Sequence, residues 1–269
     1  MPNITIAITG AGSGIGRALA HASSKRGYSV ALSDVNLAAL EQLKLELKLP
    51  DERVSISQVD VSDFDAVCAW RDQILAHFSG VDILINNAGV ALISRAENQS
   101  NEDLARVMDI NFWGVVHGCK AFLPALRESK NAHLVNVSSI FGIIGVPSQS
   151  AYNASKFAVR GYTEALRQEI EGDGIHVCCV HPGGIKTNIA RSAVIRDEDT
   201  NSEQAAANFD TMAITSPDQA AAVILKAIDK RTKRLLIGRD AKLMNLIARL
   251  FPVSYPRFFQ KDIENARGQ

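Results

Sequence analysis

Cysteine is scarce in this chain. Only Cys68, Cys119, Cys178 and Cys179 occur in 269 residues, at separations that fit neither a metal-ligand pattern nor a disulfide framework. They read as reduced thiols in a core. The six histidines form no metal-binding motif either, so no metal is expected. No apolar run approaches the roughly 18 residues needed to span a membrane. The N-terminus lacks a basic region and an apolar signal core, and the expected location is cytoplasmic. No sign of charge dominates, with 29 Lys and Arg against 29 Asp and Glu. No platform of interleaved aromatic and basic residues is visible, so no nucleic-acid partner is expected. Internal repeats and low-complexity stretches are absent as well.

What is present is an apolar content of 46% in a length that buries one large core. A single domain over 1–269 is the natural reading. Short β-prone runs at 4–8, 29–33, 54–59, 81–85, 133–138 and 175–181 alternate with helical stretches, and Leu235-Leu236-Ile237 reads as a seventh strand. That alternation predicts an α/β fold: a doubly wound parallel sheet with helices on both faces.

Four local patterns carry chemistry. After the first strand comes Thr9-Gly10-Ala11-Gly12-Ser13-Gly14-Ile15-Gly16, followed by a helix over Arg17 to Lys25. A strand, a glycine-rich turn and a helix N-terminus form a cradle for phosphate. The spacing Gly10-x-x-x-Gly14-x-Gly16 differs from the common dinucleotide fingerprint, which would need glycine where Ile15 stands. Asp34 ends the second strand 18 residues beyond Gly16, near the distance of about 20 expected of an acid that binds a ribose 2′-hydroxyl. No cation stands beside it to welcome a 2′-phosphate, so NAD(H) is expected over NADP(H); an ordinary turn or helix-capping Asp is the plainer alternative. Asn86-Asn87-Ala88-Gly89 follows the strand at 81–85 and suits a turn lining a ligand crevice, or merely a turn. Finally, Tyr152 and Lys156 lie four apart in Tyr152-Asn153-Ala154-Ser155-Lys156, with Ser139 thirteen residues before Tyr152. On a helix that spacing puts both on one face. A phenol ionises near pH 10, and a neighbouring ammonium lowers that value toward neutrality. Alone, the pair could equally be incidental.

Together these patterns, with Asp60, Asn111 and Pro182-Gly183…Thr187, resemble the short-chain dehydrogenase/reductase family in its single-domain form of roughly 250 residues. The resemblance runs from about Ile4 to Gly238 and shows no departure at a catalytic position. It implies a Rossmann-like fold and NAD(P)-dependent oxidoreduction of alcohols and carbonyls. By resemblance, Tyr152 is the acid/base, Lys156 binds the nicotinamide ribose and lowers the Tyr152 pKa, Ser139 holds the substrate oxygen, and Asn111 positions a proton-relay water. Gly10, Ser13, Gly14, Ile15 and Gly16 line the pyrophosphate loop, and Asp34 takes the adenine ribose. Asp60 and Val61 meet the adenine. Asn87, Ala88 and Gly89 line the cofactor crevice, and Pro182, Gly183, Ile185 and Thr187 cover the nicotinamide. His181 is expected to be positional. A homo-oligomer, dimer or tetramer, is implied through helices near 101–127 and 152–171.

Substrate identity is less legible. Ser139 is followed by the apolar wall Ile140-Phe141-Gly142-Ile143-Ile144-Gly145-Val146, and the asparagine turn by Val90-Ala91-Leu92-Ile93. Both suit a hydrophobic secondary alcohol or ketone, although core packing explains such runs equally well. Residues 188–215 are expected to form a lid. Residues 226–269 hold 11 basic and 4 acidic residues, and Leu243, Leu246, Ile247, Leu250 and Phe251 recur at helical spacing. The basic amphipathic extension at 239–269 is expected to pack on the body or on a second subunit, with weak contact to an anionic membrane surface as the alternative. Two further readings stand beside the alcohol dehydrogenase: an NADPH-dependent 3-oxoacyl-thioester reductase, and a non-catalytic cofactor sensor.

Overall fold

The structure, a computed structural model, describes residues 4–187, 189, 193–196 and 213–258. Seven strands form one wholly parallel sheet: β1 (Thr5–Thr9), β2 (Ser29–Asp34), β3 (Val54–Gln58), β4 (Ile83–Asn86), β6 (His133–Val137), β7 (His176–Pro182) and β9 (Arg234–Ile237). Their order is β3-β2-β1-β4-β6-β7-β9. The chain winds outward from β1 to β3, returns to β4 beside β1, and winds the other way. That reversal opens a crevice at the carboxyl ends of β1 and β4.

Side chains alternate between the two faces, as a strand's two-residue period requires. Ile6, Ile8, Ile83 and Ile85 pack with α1 (Gly14–Lys25), α2 (Leu37–Leu47) and α7 (Pro217–Asp229). Ala7 and Leu84 face the other layer, formed by α3 (Phe64–Phe78), α5 (Gly114–Arg127) and α6 (Ser150–Glu169). Trp70 of α3 and Phe122 of α5 anchor that layer with ring centroids 5.2 Å apart. Cys119, Cys178 and Cys179 are buried, and burial pushes each thiol up to about 12. Among the described residues no helix is long and apolar enough to cross a membrane.

Three local features depart from the sequence expectation. Helix α1 begins at Gly14 rather than Arg17, so its glycines form its first turn. The expected helical stretch at 101–127 is interrupted: α4 (Asn101–Met108) passes through a π-helical turn, Asp109–Trp113, before α5. Such widened turns recur at functional sites. A second sheet pairs β5 (Leu92–Ile93) with β8 (Val194–Ile195), two residues each and too short to show a period. Most of the lid expected at 188–215 lies outside the described residues.

After β9 the chain enters α8 (Arg239–Leu250) and a 3₁₀ turn, Tyr255–Phe258. Ala241, Met244, Ala248 and Tyr255 pack on Ile140 and Ile144, so the described part of the extension lies on the body of the protein.

Candidate active site

A cleft of about 660 Å³ lies at the carboxyl edge of the sheet. Its size falls in the range of small-molecule sites. It brings together nearly every residue expected from sequence: Gly10, Ser13, Gly14, Ile15, Asp34, Asp60, Val61, Asn87, Ala88, Gly89, Ser139, Ile140, Phe141, Tyr152, Lys156, Pro182, Gly183, Ile185 and Thr187 all line it. Gly16 and Asn111 do not line it but stand immediately behind it.

One end is built from backbone and short polar groups. Gly10 and Gly14 have φ of +65° and +53°, left-handed conformations in which glycine is unstrained. Ser13 caps α1 by position but makes no side-chain capping bond, so among the described residues its hydroxyl has no partner at the helix N-terminus. Thr187 Cγ2 lies 3.1 Å from where a Gly14 Cβ would be, so the loop after β7 closes on the glycine turn. Asn87 locks the turn from the other side. Its Nδ2 donates to the carbonyls of Thr9 (2.9 Å) and Gly10 (3.1 Å), while the Asn87 and Ala88 amides donate to Thr9 Oγ1. The Asp34 carboxylate accepts from the Gly12 amide (2.9 Å) through one oxygen and from the Asn36 amide (3.0 Å) through the other. Asp60 Oδ1 accepts from the amide and hydroxyl of Ser62. This cradle, with its glycine turn, helix N-terminus and fixed carboxylate, fits a dinucleotide.

Between this cradle and the apolar wall stand Ser139, Tyr152 and Lys156. Ser139 Oγ accepts from the Phe141 amide (3.1 Å), which leaves its own proton to donate. Beneath it, neutral His181 donates from Nδ1 to the Ser139 carbonyl (3.0 Å), and burial holds His181 down at about 4. Lys156 Nζ donates to the Val137 carbonyl (3.1 Å) and stands 5.7 Å from the Tyr152 ring centroid. An ammonium has three donors, so this bond leaves others for a ligand. Burial pushes Lys156 down to about 8. Burial pushes Tyr152 up to about 12, and a hydrogen bond with Ser139 opposes the rise only in part. In the protein alone, then, Lys156 does not bring the phenol below its ordinary range. Its ammonium faces the ring, and desolvation governs both groups.

Asn111 is fully buried in the π turn. Its Oδ1 accepts from the Val90 amide (2.8 Å), and its Nδ2 donates to the Val90 carbonyl and to Ser155 Oγ (both 3.0 Å). A Cβ on Gly89 would lie 3.1 Å from Asn111 Oδ1 and 3.3 Å from Lys156 Nζ, so these two groups converge on one point behind the asparagine turn.

Several contributors were not singled out from the sequence. Thr9 and Gly12 sit inside the glycine motif, and Asn153 sits inside the Tyr-x-x-x-Lys segment. Asn153 ties the apolar wall to α6, donating to the carbonyls of Phe141 and Ile144 (both 2.7 Å) and accepting from the Val146 amide (3.0 Å). Asp240 and Met244 of α8 line the cleft from the C-terminal extension. Asp240 accepts from the Gly184 amide (2.7 Å) and fills the space a side chain on Gly183 would need. Tyr255 accepts from the Gly145 amide (2.8 Å). A helical period at 243–251 announces a helix but not which loop it will cover.

The family model for short chain dehydrogenases matches residues 4–198. A Mycobacterium tuberculosis protein bearing the name oxidoreductase SadH is 45% identical over 253 residues, covering 93% of this chain and 91% of its own. A 3-ketodihydrosphingosine reductase of Bacteroides thetaiotaomicron is 36% identical over 207 residues, covering 76% of this chain and 72% of its own. The crystal structure of a Burkholderia phymatum short chain dehydrogenase/reductase in complex with NAD superposes with a TM-score of 0.82 at 30% identity, covering 96% of this chain and 95% of that one. The chain belongs to the short-chain dehydrogenase/reductase family. It is an NAD(P)-dependent oxidoreductase acting on CH-OH donors.

Proposed function

We propose that this enzyme interconverts a hydrophobic secondary alcohol and its ketone, with NAD(H) preferred over NADP(H). The observation that carries the reading is the convergence of Ser139, Tyr152 and Lys156 in the same cleft as the glycine turn and Asp34. The nicotinamide cofactor, when bound, accepts or supplies the hydride.

The protein's own groups move and hold the proton. Tyr152 Oη takes the substrate hydroxyl proton in oxidation and returns it in reduction. Ser139 Oγ, already accepting from Phe141, donates to the substrate oxygen and steadies the charge that develops there. Oxidation near neutral pH needs the phenol brought down from about 12. Lys156 is a cation placed to do so once a ligand draws its free donors toward the cleft. Asn111 holds the Val90 backbone and keeps a spare lone pair on Oδ1 for a relay water.

Asp34 supports the cofactor preference. Its carboxylate, fixed by Gly12 and Asn36, can accept from a ribose diol and would repel a 2′-phosphate. The wall of Ile140, Phe141, Ile144, Val146 and Met244 supports an apolar substrate. So does the relative named for 3-ketodihydrosphingosine, a lipid ketone. Leu104, Trp113 and Phe157 are exposed on the chain segment from α4 to α6, in keeping with a homodimer or tetramer through those helices. Cytoplasmic location is part of the same proposal.

The test is a parallel fluorescence titration with NADH and NADPH, followed by a cofactor-driven screen of secondary alcohols. NADH binding about tenfold tighter, near 1.4 kcal/mol, is expected. Tighter NADPH binding would overturn the preference. A second reading, an NADPH-dependent 3-oxoacyl-thioester reductase, draws on Arg106. This exposed residue lines the cleft and has no acidic partner among the described residues, so it could meet a carrier phosphate. Faster turnover of an acetoacetyl thioester than of any secondary alcohol would put that reading first.

A further inference from the structure

Helix α8 has two unlike faces. Asp240 and Met244 look into the cleft, and Ala241 and Ala248 pack against the wall beneath it. On the opposite side Leu243, Leu246 and Leu250 are 55%, 53% and 63% exposed. The chain beyond continues that surface with Phe251, Val253 and Phe258, of which Val253 is 89% exposed. The Phe251 and Phe258 rings meet at 5.2 Å. An apolar patch of this kind is uncommon on a soluble surface and marks a place of contact.

The charges around the patch say what kind of contact. Arg239, Lys242, Arg249 and Arg257 are exposed, and none pairs with an acid among the described residues. The single acid of residues 239–258, Asp240, is turned inward onto the Gly184 amide. The outer face therefore combines apolar side chains with unpaired cations and offers no anion. A second copy docked face to face would set four cations against four more, which a symmetric interface must avoid. An anionic lipid surface complements both parts: leucine and phenylalanine enter the boundary between headgroups and acyl chains, and the bases meet the phosphates.

We propose that the outer face of α8 and the turn after it seat the enzyme on an anionic lipid surface. The same helix forms a wall of the cleft. Docking therefore holds the cleft beside the bilayer boundary, where an apolar alcohol or ketone would partition.

The experiment uses the full chain with vesicles of phosphatidylcholine alone and of phosphatidylcholine mixed with phosphatidylglycerol, read by co-sedimentation. Binding needs no turnover, so its failure leaves the reaction assignment untouched, and an inactive enzyme leaves this result standing. Partition onto the anionic vesicles about tenfold or more above the neutral ones is expected, weakening as salt rises. Leu246→Glu with Leu250→Glu should abolish it, and Lys242→Glu with Arg249→Glu should reduce it about tenfold. Both pairs are solvent-exposed, and unchanged NADH binding confirms that each variant is folded. Equal soluble fractions with and without anionic lipid would overturn the proposal. So would unchanged vesicle binding by the leucine variant, or a fall in its sedimentation mass without any vesicle binding by the wild type, which would make the patch a contact between subunits.

Discussion

The two ends of the cleft are held by different kinds of force. At the glycine turn, short polar groups bond across one or two loops: Asn87 to Thr9 and Gly10, Asp34 to Gly12 and Asn36. Directional bonds of this kind fix atoms closely and leave little room for substitution. At the substrate end, the wall from Ile140 to Val146 is shaped by apolar packing under α8 and pinned by Asn153 and Tyr255, while Asp240 holds the neighbouring loop at Gly184. Packing tolerates exchange of side chains of similar volume. A rigid end therefore suits a constant cofactor, and a repackable end suits a substrate that differs between relatives. Ser139, Tyr152 and Lys156 stand where the two meet.

The largest effect of a single substitution is expected at the junction. Tyr152→Phe should lower kcat/KM about a thousandfold, near 4 kcal/mol, and leave NADH binding within about threefold. Steady-state kinetics beside a binding titration separates the two.

Next in size is a pH effect at the base of the junction. The folded pKa of His181 lies at about 4, below its ordinary 6.5, because burial disfavours the imidazolium. The unfolded chain binds more protons between those values, so stability is full above about 6.5 and falls as pH drops toward 4. A loss of about 3 kcal/mol from this residue is expected, read by denaturant unfolding across that range. Flat stability there would mean that the imidazole is not buried as described.

Asp240→Ala tests the substrate end. It leaves the Gly184 amide without its acceptor, which costs about 1–3 kcal/mol. A lower Tm and a raised KM for the alcohol should appear, with NADH affinity nearly unchanged. Asp34→Ser tests the opposite end: discrimination between NADH and NADPH should fall about tenfold, near 1.4 kcal/mol, with kcat little affected. The smallest effect is expected of Tyr255→Phe, which removes one hydrogen bond to Gly145 and about 1 kcal/mol of stability.

The same contrast explains what the sequence discloses. Glycine spacing, an acid at the end of a strand and a Tyr-x-x-x-Lys turn are local patterns, and the sheet alternates apolar runs with helices at ordinary spacing. All of these can be read along the chain. Asp240 reaches a residue 56 positions away and Tyr255 one 110 away, so no local pattern shows what they cover. Asn111 is legible as a residue of the family pattern, yet its place in a π turn, clamped on Val90, depends on how α4 meets α5. The phenol shows the same limit. Proximity in sequence suggests that Lys156 lowers Tyr152, whereas burial, a property of the whole fold, raises it to about 12.

The most direct test of the account is NAD+-dependent oxidation of a graded series of secondary alcohols by the wild type and by Tyr152→Phe, with NADH binding measured on both. Expected are a kcat/KM that rises with apolar chain length in the wild type, a loss of about a thousandfold in the variant, and matching NADH affinities. Comparable turnover by the variant, or a small polar polyol preferred over every hydrophobic alcohol, would contradict it.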